Sequence, residues 1–274
     1  MSENPLLQHM RQESVFVPLP SKGNFYKTPV KLSADGELGI RSMTSSDEIA
    51  LKIPDALFNG TSIVNVIKSC CPGIEDPMEM PYNDVEVVLL GIRRATYGDD
   101  LVVTHKCTEC SHETDYAKSI DRQLSEIPKL EDRYTVDIDG LKIFIKPIDL
   151  FSQTELQLQA AHQARLETNI QSFEGTDEQV REFQKSIIEI ANSNVKVLSR
   201  CVYQIEMPDG KHVDDPKFID EWINNIDVKQ YNQLMEKLFE IQSVVLKVEM
   251  NGQCAECEHP FSVPVVIDQS RFFG

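Results

Sequence analysis

Long hydrophobic runs are missing from this sequence. No stretch approaches the roughly 18 consecutive apolar residues that a membrane-spanning helix needs. The N-terminal segment, MSENPLLQHMRQES, is polar and mixed, and it lacks the apolar core of a signal peptide. We therefore expect no membrane span, and we expect folding inside the cell.

Positive charge is also scarce. The 274 residues carry 27 Lys and Arg against 44 Asp and Glu, a net charge of −17 at pH 7, and the basic residues form no block or stripe. Tight binding to DNA, RNA or an anionic membrane surface requires clustered cations that neutralise phosphates. We therefore expect neither a nucleic acid nor a membrane as partner.

Recognisable catalytic motifs are missing as well. The sequence contains no phosphate-binding G-x-x-x-x-G-K-[ST], no dinucleotide-binding G-x-G-x-x-G, no H-E-x-x-H and no G-x-S-x-G. Its six histidines are scattered and indicate no triad with serine or cysteine. We interpret the chain as a non-enzyme.

Cysteine is present in an odd number, seven, and four of these residues form two C-x-x-C pairs. In a protein that folds inside the cell, such pairs are typical of metal or redox sites rather than of a disulfide framework. The two segments, HKCTECSHETDYA and GQCAECEHPFSVP, both read C-x-x-C-x-H at the predicted tip of a hairpin. These matching contexts, far apart in the chain, indicate one shared site.

The predicted ligands of this site are Cys107, Cys110, Cys254 and Cys257. Two C-x-x-C turns on two hairpins can supply four thiolates in a tetrahedron, the geometry that zinc accepts, with each Zn–S bond about 2.3 Å long. Four thiolates leave no open coordination position. The predicted cofactor is therefore a structural Zn²⁺ and not a catalytic one.

Other interpretations of these cysteines stay open at this point. Thioredoxin-type redox chemistry needs a C-x-x-C that follows a strand and opens a helix, whereas strands are predicted on both sides here. His112 or His259, which follow the two pairs at the same offset, could replace a cysteine as ligand. The four thiols could also stay reduced or hold a different metal. The other cysteines are expected to be buried free thiols in or beside helices: Cys70, Cys71 and Cys201.

Periodicity and turn signals predict an α+β fold, in which a zinc-ribbon-like β-hairpin module with N-terminal strands and short helices carries an inserted helical subdomain. Residues 1–14 are expected to form a loose arm, residues 29–43 a hairpin with its turn at Asp35–Gly36, and Ser45 with Glu48 the capping box of a helix. Further hairpins are predicted at 100–117, 135–148 and 243–268, and further helices at 61–70, 83–98, 149–168, 176–200, 215–226 and 228–242.

The predicted domain organisation has three parts. Residues 1–148 form an N-terminal strand and helix region with the first zinc knuckle and a second hairpin, residues 149–242 a helical insertion, and residues 243–274 the second zinc knuckle hairpin with a C-terminal tail. The last part is expected to pack with residues 1–118, because the two cysteine pairs must meet to share one metal.

Several of these segments occur in an order that is typical of one known family. VPLPSKGNFY is followed by MTSSDE, by a short helical stretch ending FNG, and by NDVEVVLLGIRRATYG before the first C-x-x-C, while the second C-x-x-C and a terminal FF come at the end. The chain resembles the baseplate hub proteins of T-even-type contractile-tailed bacteriophages, a family that includes hub subunits and a hub assembly factor. The likeness covers most of residues 15–118 and 243–273.

The resemblance implies a structural protein of the phage tail, assembled in the host cytoplasm and placed in the virion baseplate. It implies other baseplate hub proteins and the tape-measure protein as partners. Two other functions stay open, an assembly chaperone that is absent from the finished particle and a cellular zinc-ribbon adaptor. Nothing in the residues indicates the oligomeric state.

Two segments then become candidate partner-binding sites. One is an extended apolar strip with Pro18, Pro20, Phe25 and Tyr26, which could lie along a neighbouring protein. The other is the aromatic C-terminus, with Arg271, Phe272 and Phe273, since aromatic and arginine side chains dominate interface energies. For both segments the alternative is packing on the protein's own fold.

Overall fold

The computed structural model describes Leu6 and residues 9–52, 60–172, 177–246 and 249–264 of this chain. It is a mixed α+β protein with small antiparallel sheets. The helices are α1 (Ser45–Leu51), α2 (Thr61–Cys70), α3 (Tyr82–Tyr97), α4 (Ile120–Ser125), α5 (Leu150–Ser172), α6 (Asp177–Cys201), α7 (Pro216–Ile223) and α8 (Val228–Gln242). The strands are β1 (Val15–Pro18), β2 (Glu37–Ile40), β3 (Asp100–Lys106), β4 (Glu113–Ser119), β5 (Tyr134–Ile138), β6 (Leu141–Ile145), β7 (Val202–Glu206), β8 (His212–Val213), β9 (Glu249–Gln253) and β10 (Pro260–Pro264).

The chain divides into two compact units. The first unit comprises Met1–Pro77, Asn83–Lys129 and Val245–Gly274, and the second comprises Met78–Tyr82 and Leu130–Val244. Both cysteine pairs therefore belong to the first unit. The β5–β6 hairpin belongs to the second unit, together with helices α5 to α8. The three-part division at residues 148 and 242 stays a prediction.

The first unit begins with a two-stranded antiparallel sheet of β1 and β2. Val17 pairs with Leu38, and both side chains are fully buried. This pairing corrects the expected local hairpin at residues 29–43. The turn at Ser33–Gly36 is present, and the Ser33 N–H donates across it to the Glu37 carbonyl. Residues 29–33, all of them described, form no strand, and the Lys31 N–H donates to the Gly73 carbonyl instead. Strand β2 pairs with β1 because both strands carry alternating apolar side chains that bury the same face.

Helix α1 begins one residue earlier than its sequence motif suggested. The N-cap is Thr44, whose hydroxyl accepts a hydrogen bond from the Asp47 N–H, while the Asp47 carboxylate accepts one from the Thr44 N–H. This reciprocal capping box has the same spacing as the predicted Ser45–Glu48 pair. The sequence therefore predicts the right kind of helix cap, but the cap lies one residue earlier in the structure.

Arg11 anchors the described part of the N-terminal arm, which corrects the expectation of a loose segment there. Residues 1–5, 7 and 8 of that predicted segment lie outside the described residues. Its guanidinium donates to the Ser42 carbonyl at 2.5 Å and to the Ser69 carbonyl at 3.0 Å. It also forms an ion pair with Asp47 at 3.5 Å. One side chain thus ties the arm to the residues before α1 and to the end of α2.

The second unit is built on a four-stranded antiparallel sheet with the strand order β5-β6-β7-β8. The predicted turn of the β5–β6 hairpin is confirmed: Asp139 and Gly140 have φ values of 50° and 82°, the left-handed backbone that a two-residue turn of this kind requires. The apolar face of the sheet includes Ile143 and Ile145, both fully buried.

Strand β7 corrects the expectation of helices alone between residues 149 and 242. It follows α6 directly, so no turn residue marks its start in the sequence. It forms because β6 offers a partner, with Ile143 opposite Ile205 and both side chains buried. Here tertiary pairing, and not local sequence, decides the element.

Among the helices described, none combines the length and the apolar character that crossing a membrane would require.

Candidate metal centre

The two C-x-x-C pairs lie at the tips of two β-hairpins. The first pair follows β3 and precedes β4, and the second follows β9 and precedes β10. Both hairpins are regular antiparallel ladders, with Lys106 opposite Glu113 and Gln253 opposite Pro260 as the last pairs before the turns. The predicted hairpins are confirmed, and strands on both sides of each pair exclude the strand-to-helix arrangement of a thioredoxin-type site.

The first knuckle is closed by backbone hydrogen bonds. The Cys107 N–H donates to the His112 carbonyl at 2.9 Å, and the Ser111 N–H donates back to the Cys107 carbonyl at 3.0 Å. Ser111 has a left-handed backbone, with φ of 60°. This turn directs the side chains of Cys107 and Cys110 to one side of the hairpin tip.

The second knuckle repeats the first residue for residue. The Cys254 N–H donates to the His259 carbonyl at 2.9 Å, the Glu258 N–H donates to the Cys254 carbonyl at 2.9 Å, and Glu258 has a φ of 59°. The shared C-x-x-C-x-H pattern is therefore a backbone motif, in which the histidine contributes its carbonyl oxygen. Within the described ranges neither histidine side chain belongs to the cysteine cluster.

The four cysteine sulfurs converge on one point. All four Sγ atoms lie within 4.8 Å of one another. Cys107 and Cys257 are 3.6 Å apart between their sulfurs, and so are Cys110 and Cys254. Four sulfurs bound to zinc at about 2.3 Å in a tetrahedron are separated by about 3.8 Å. The donor set and its spacing therefore fit a closed tetrahedral ion.

Burial and hydrogen bonding divide the four thiols. Cys107 and Cys254 are each 3% exposed, whereas Cys110 and Cys257 face solvent. The backbone N–H groups of Cys257 and Glu256 donate to the Cys254 sulfur and lower the pKa of that thiol to about 6. At Cys257 the hydrogen bond from the His259 backbone lowers the thiol pKa, but the neighbouring sulfurs of Cys110 and Cys107 outweigh it and raise that pKa to about 12. A thiolate therefore forms more readily at Cys254 than at Cys257, and a cation among the sulfurs would favour the thiolate at Cys257.

The two hairpins also meet away from the sulfurs, through side chains that sequence reasoning missed. The Phe261 ring stacks on the His105 ring with centroids 4.0 Å apart, and the Tyr116 ring meets Phe261 edge-on at 4.8 Å. The Tyr116 hydroxyl donates to the Gln253 carbonyl at 3.0 Å. A signal was available on one side only, since His105 lies two positions before Cys107 and so on the same face of the first hairpin. Only the fold shows that Phe261 of the other hairpin meets that face.

The remaining cysteines are free thiols buried in the protein, as expected. Burial raises the pKa of Cys70 to about 11 and that of Cys201 to about 12, and it raises the pKa of Cys71 as well. A thiol with a raised pKa is a poor metal ligand and a poor nucleophile at neutral pH. These three residues therefore add nothing to the metal centre.

The apolar strip packs partly on its own unit. Pro20 is buried, and Pro18 and Phe25 are half-buried. The Tyr26 hydroxyl donates to the Asp84 carboxylate at 2.8 Å, and the Ser21 N–H donates to the same carboxylate at 2.9 Å. This network holds the strip against helix α3, and a role of the strip in partner binding stays a prediction.

Asp84 is fully buried at the centre of this network. Burial raises the pKa of its carboxyl group to about 6, although the hydrogen bonds from Ser21 and Tyr26 act in the opposite direction. The other predicted partner-binding residues, Arg271, Phe272 and Phe273, lie outside the described residues.

Comparison with family models gives a match over most of the chain. The family model described as T4 bacteriophage base plate protein matches residues 24–274 of the chain. Curated proteins and solved structures gave no match.

Proposed function

Since the chain belongs to the T4 bacteriophage base plate protein family, we propose that it is a structural component of the baseplate hub, built around a structural Cys₄ zinc site. Family membership gives it a structural role in the phage baseplate and a place in the virion tail. It also favours a structural protein over an enzyme. Assignment to the hub goes beyond the family and extends the resemblance carried by the sequence motifs.

The single observation that supports the zinc site is the convergence of four sulfurs from two distant hairpins. Cys110 and Cys254 are 144 positions apart in the chain, yet their sulfurs lie 3.6 Å from each other. Thiolates are ligands that zinc prefers, and a closed set of four suits a structural ion. In this proposal Cys107, Cys110, Cys254 and Cys257 are the ligands, and the ion joins the two ends of a zinc-ribbon-like module.

The proposed role of the ion is to join two distant segments of the chain into one module that docks onto other proteins. Residues 149–242 would then be an inserted helical subdomain, with residues 1–118 and 243–274 forming the module on either side of it. The partners proposed for this module are other hub proteins and the tape-measure protein. The segments proposed to contact them are Pro18–Tyr26 and Arg271–Phe273.

Metal analysis tests the zinc site. Protein purified without added metal is expected to carry one zinc per chain, with four thiols protected from a thiol reagent until a chelator is added. The variant Cys107→Ser/Cys254→Ser is the matched comparison and is expected to carry none. Zinc near zero in the unmodified protein, with these four thiols reacting freely, would rule the site out.

Quantitative mass spectrometry of purified phage particles tests the hub assignment. Peptides of this chain at a fixed copy number per particle would support a stable hub component. Their absence from intact particles, with the protein present in infected cells, would instead identify an assembly chaperone. Co-expression with hub proteins then tests the C-terminus: Phe272→Ser/Phe273→Ser is expected to weaken co-purification, and removal of Gly274 alone is the control.

A further inference from the structure

The contacts between the two hairpins fall into two separate groups. One group is the sulfur cluster at the tips. The other is an aromatic group of three half-buried side chains, His105 and Tyr116 from the β3–β4 hairpin and Phe261 from the β9–β10 hairpin. We call this second group the aromatic clasp. It needs no metal, because every contact in it is made by the chain itself.

The central side chain of the clasp is Phe261, which is enclosed on several sides. Its ring lies 4.0 Å from the His105 ring at an interplanar angle of 21°, a stacked contact. The Tyr116 ring approaches at 4.8 Å and 62°, an edge-to-face contact. Both geometries are those that aromatic pairs prefer. Phe261 therefore joins both strands of the opposite hairpin.

Gly252 makes room for the Phe261 ring. The two residues are opposite each other in the β9–β10 ladder. A Cβ added at Gly252 would lie 2.8 Å from Cζ of Phe261, closer than real contacts allow. The ring could yield only by leaving its stack, because His105 occupies the other side. An alanine at position 252 is therefore expected to displace the clasp without removing any of its aromatic rings.

Two hydrogen bonds fix the register between the hairpins. The Tyr116 hydroxyl donates to the carbonyl of Gln253, the residue immediately before Cys254. The Lys118 ammonium donates to the Glu249 carbonyl at the other end of β9. Strand β9 is thus held along its length, and the position of Cys254 relative to the first knuckle is set by contacts outside the sulfur cluster.

We propose that the aromatic clasp docks the C-terminal hairpin in the absence of metal and so preorganises the four cysteines for the ion. Its role in metal loading rests on the proposed zinc site, whereas docking itself does not. His105, Tyr116 and Phe261 are positioning residues, since none of them supplies a ligand. The clasp lowers the entropic cost of metal binding because the two knuckles already face each other.

Disulfide trapping of the metal-free protein tests this proposal. A diazenedicarboxamide oxidant converts two thiols into one disulfide and takes up their two protons and two electrons, becoming the hydrazine. Docked hairpins are expected to give the cross-hairpin disulfides Cys107–Cys257 and Cys110–Cys254, whose sulfurs are 3.6 Å apart. Undocked hairpins are expected to give the disulfides within each knuckle. Peptide mapping without reduction distinguishes the two patterns.

Two variants remove the clasp in different ways. Phe261→Ala deletes the central ring and Gly252→Ala displaces it, and both are expected to shift trapping toward disulfides within the knuckles. Ser262→Ala, at an exposed position on the same strand, is the matched control and is expected to trap like the unmodified protein. Circular dichroism verifies that each variant keeps its secondary structure, and the emission of Trp222 verifies that the second unit is unaffected.

Zinc affinity, measured by competition with a chromophoric chelator, gives the second readout. Loss of two aromatic pairs is expected to weaken zinc binding by about tenfold in Phe261→Ala. Cross-hairpin trapping that is equal in Phe261→Ala and the unmodified protein would overturn the clasp. If the unmodified protein binds no zinc but still traps across the hairpins, the clasp stands and the zinc site fails. If it binds zinc but traps only within the knuckles when metal-free, the zinc site stands and the clasp fails.

Discussion

Replacing Cys257 with serine gives the sharpest test of the metal centre in the folded protein. The Cys257 side chain is exposed, so its replacement removes little buried surface. A large loss of stability would therefore come from the ion and not from packing. The exposed Thr108 lies within the first knuckle, and Thr108→Ala serves as the control.

The expected loss of stability follows from the length of chain between the cysteines that the ion would link. Cys110 and Cys254 are 144 positions apart. A cross-link over a loop of that order restricts the unfolded chain by about 4–5 kcal/mol in the chain-entropy account. An ion that stays bound to both hairpins in the unfolded chain acts in the same way. An ion that binds only the folded state contributes a similar amount, about 4 kcal/mol, when its free concentration is about 1,000 times its Kd. For a unit of this size, a loss of about 4 kcal/mol corresponds to about 10 °C in Tm.

Calorimetry with and without a strong chelator measures this effect. Chelator is expected to lower the transition of the first unit in the unmodified protein and in Thr108→Ala, and to change Cys257→Ser little further. Hydrogen exchange is expected to become faster in β3, β4, β9 and β10, since the clasp keeps the hairpins docked without the ion but at lower stability. A melting curve of the unmodified protein that does not respond to chelator would contradict the predicted ion, because no ion would then be contributing to stability.

The remaining predictions concern the scaffold. Asp84 holds its proton more tightly when folded, with a pKa of about 6 against 3.8, so its contribution to stability is present in acid and is lost as pH rises through about 6. The free energy of unfolding, measured with urea, should therefore fall between pH 4 and 7 by about 2–3 kcal/mol less in Asp84→Asn than in the unmodified protein. Equal falls in the two proteins would contradict this. Arg11→Ala should cost about 1–3 kcal/mol and expose the N-terminal arm to limited proteolysis, whereas an unchanged cleavage pattern would show that Arg11 does not anchor it. Ile205→Ala should lower the stability of the second unit by about 2–4 kcal/mol, because truncating a buried β7 side chain leaves a cavity. Trp222 emission during unfolding measures this loss, and a loss below about 1 kcal/mol would count against the pairing of β7 with β6.

Short sequence motifs predicted the local features of this protein. The C-x-x-C-x-H repeats indicated hairpin tips and a four-cysteine site, and the structure brings those four sulfurs together. The Asp139–Gly140 turn and helix α2 also follow from short-range signals. The resemblance to T4-type baseplate proteins is confirmed by the family match, while the hub assignment stays a proposal.

Pairing between distant segments could not be predicted in the same way. Strand β2 was expected to bond to its neighbour in sequence and bonds instead to β1, and β7 was not expected at all. In both cases several partners have compatible apolar faces, and only the assembled core selects among them. The anchoring of Arg11 has the same origin, since one carbonyl that it contacts lies in the loop before α1 and the other in helix α2.

Cysteine spacing, turn residues and periodicity act over a few positions, so the residues alone predict the four candidate thiol donors, the knuckle turns and the α+β class. The tertiary structure alone decided which faces of the two hairpins meet, and with that the clasp around Phe261. It also decided the sulfur pairs, Cys107 with Cys257 and Cys110 with Cys254. The physical reason is distance along the chain: contacts across so many residues are set by the packing of whole elements, which no short motif encodes.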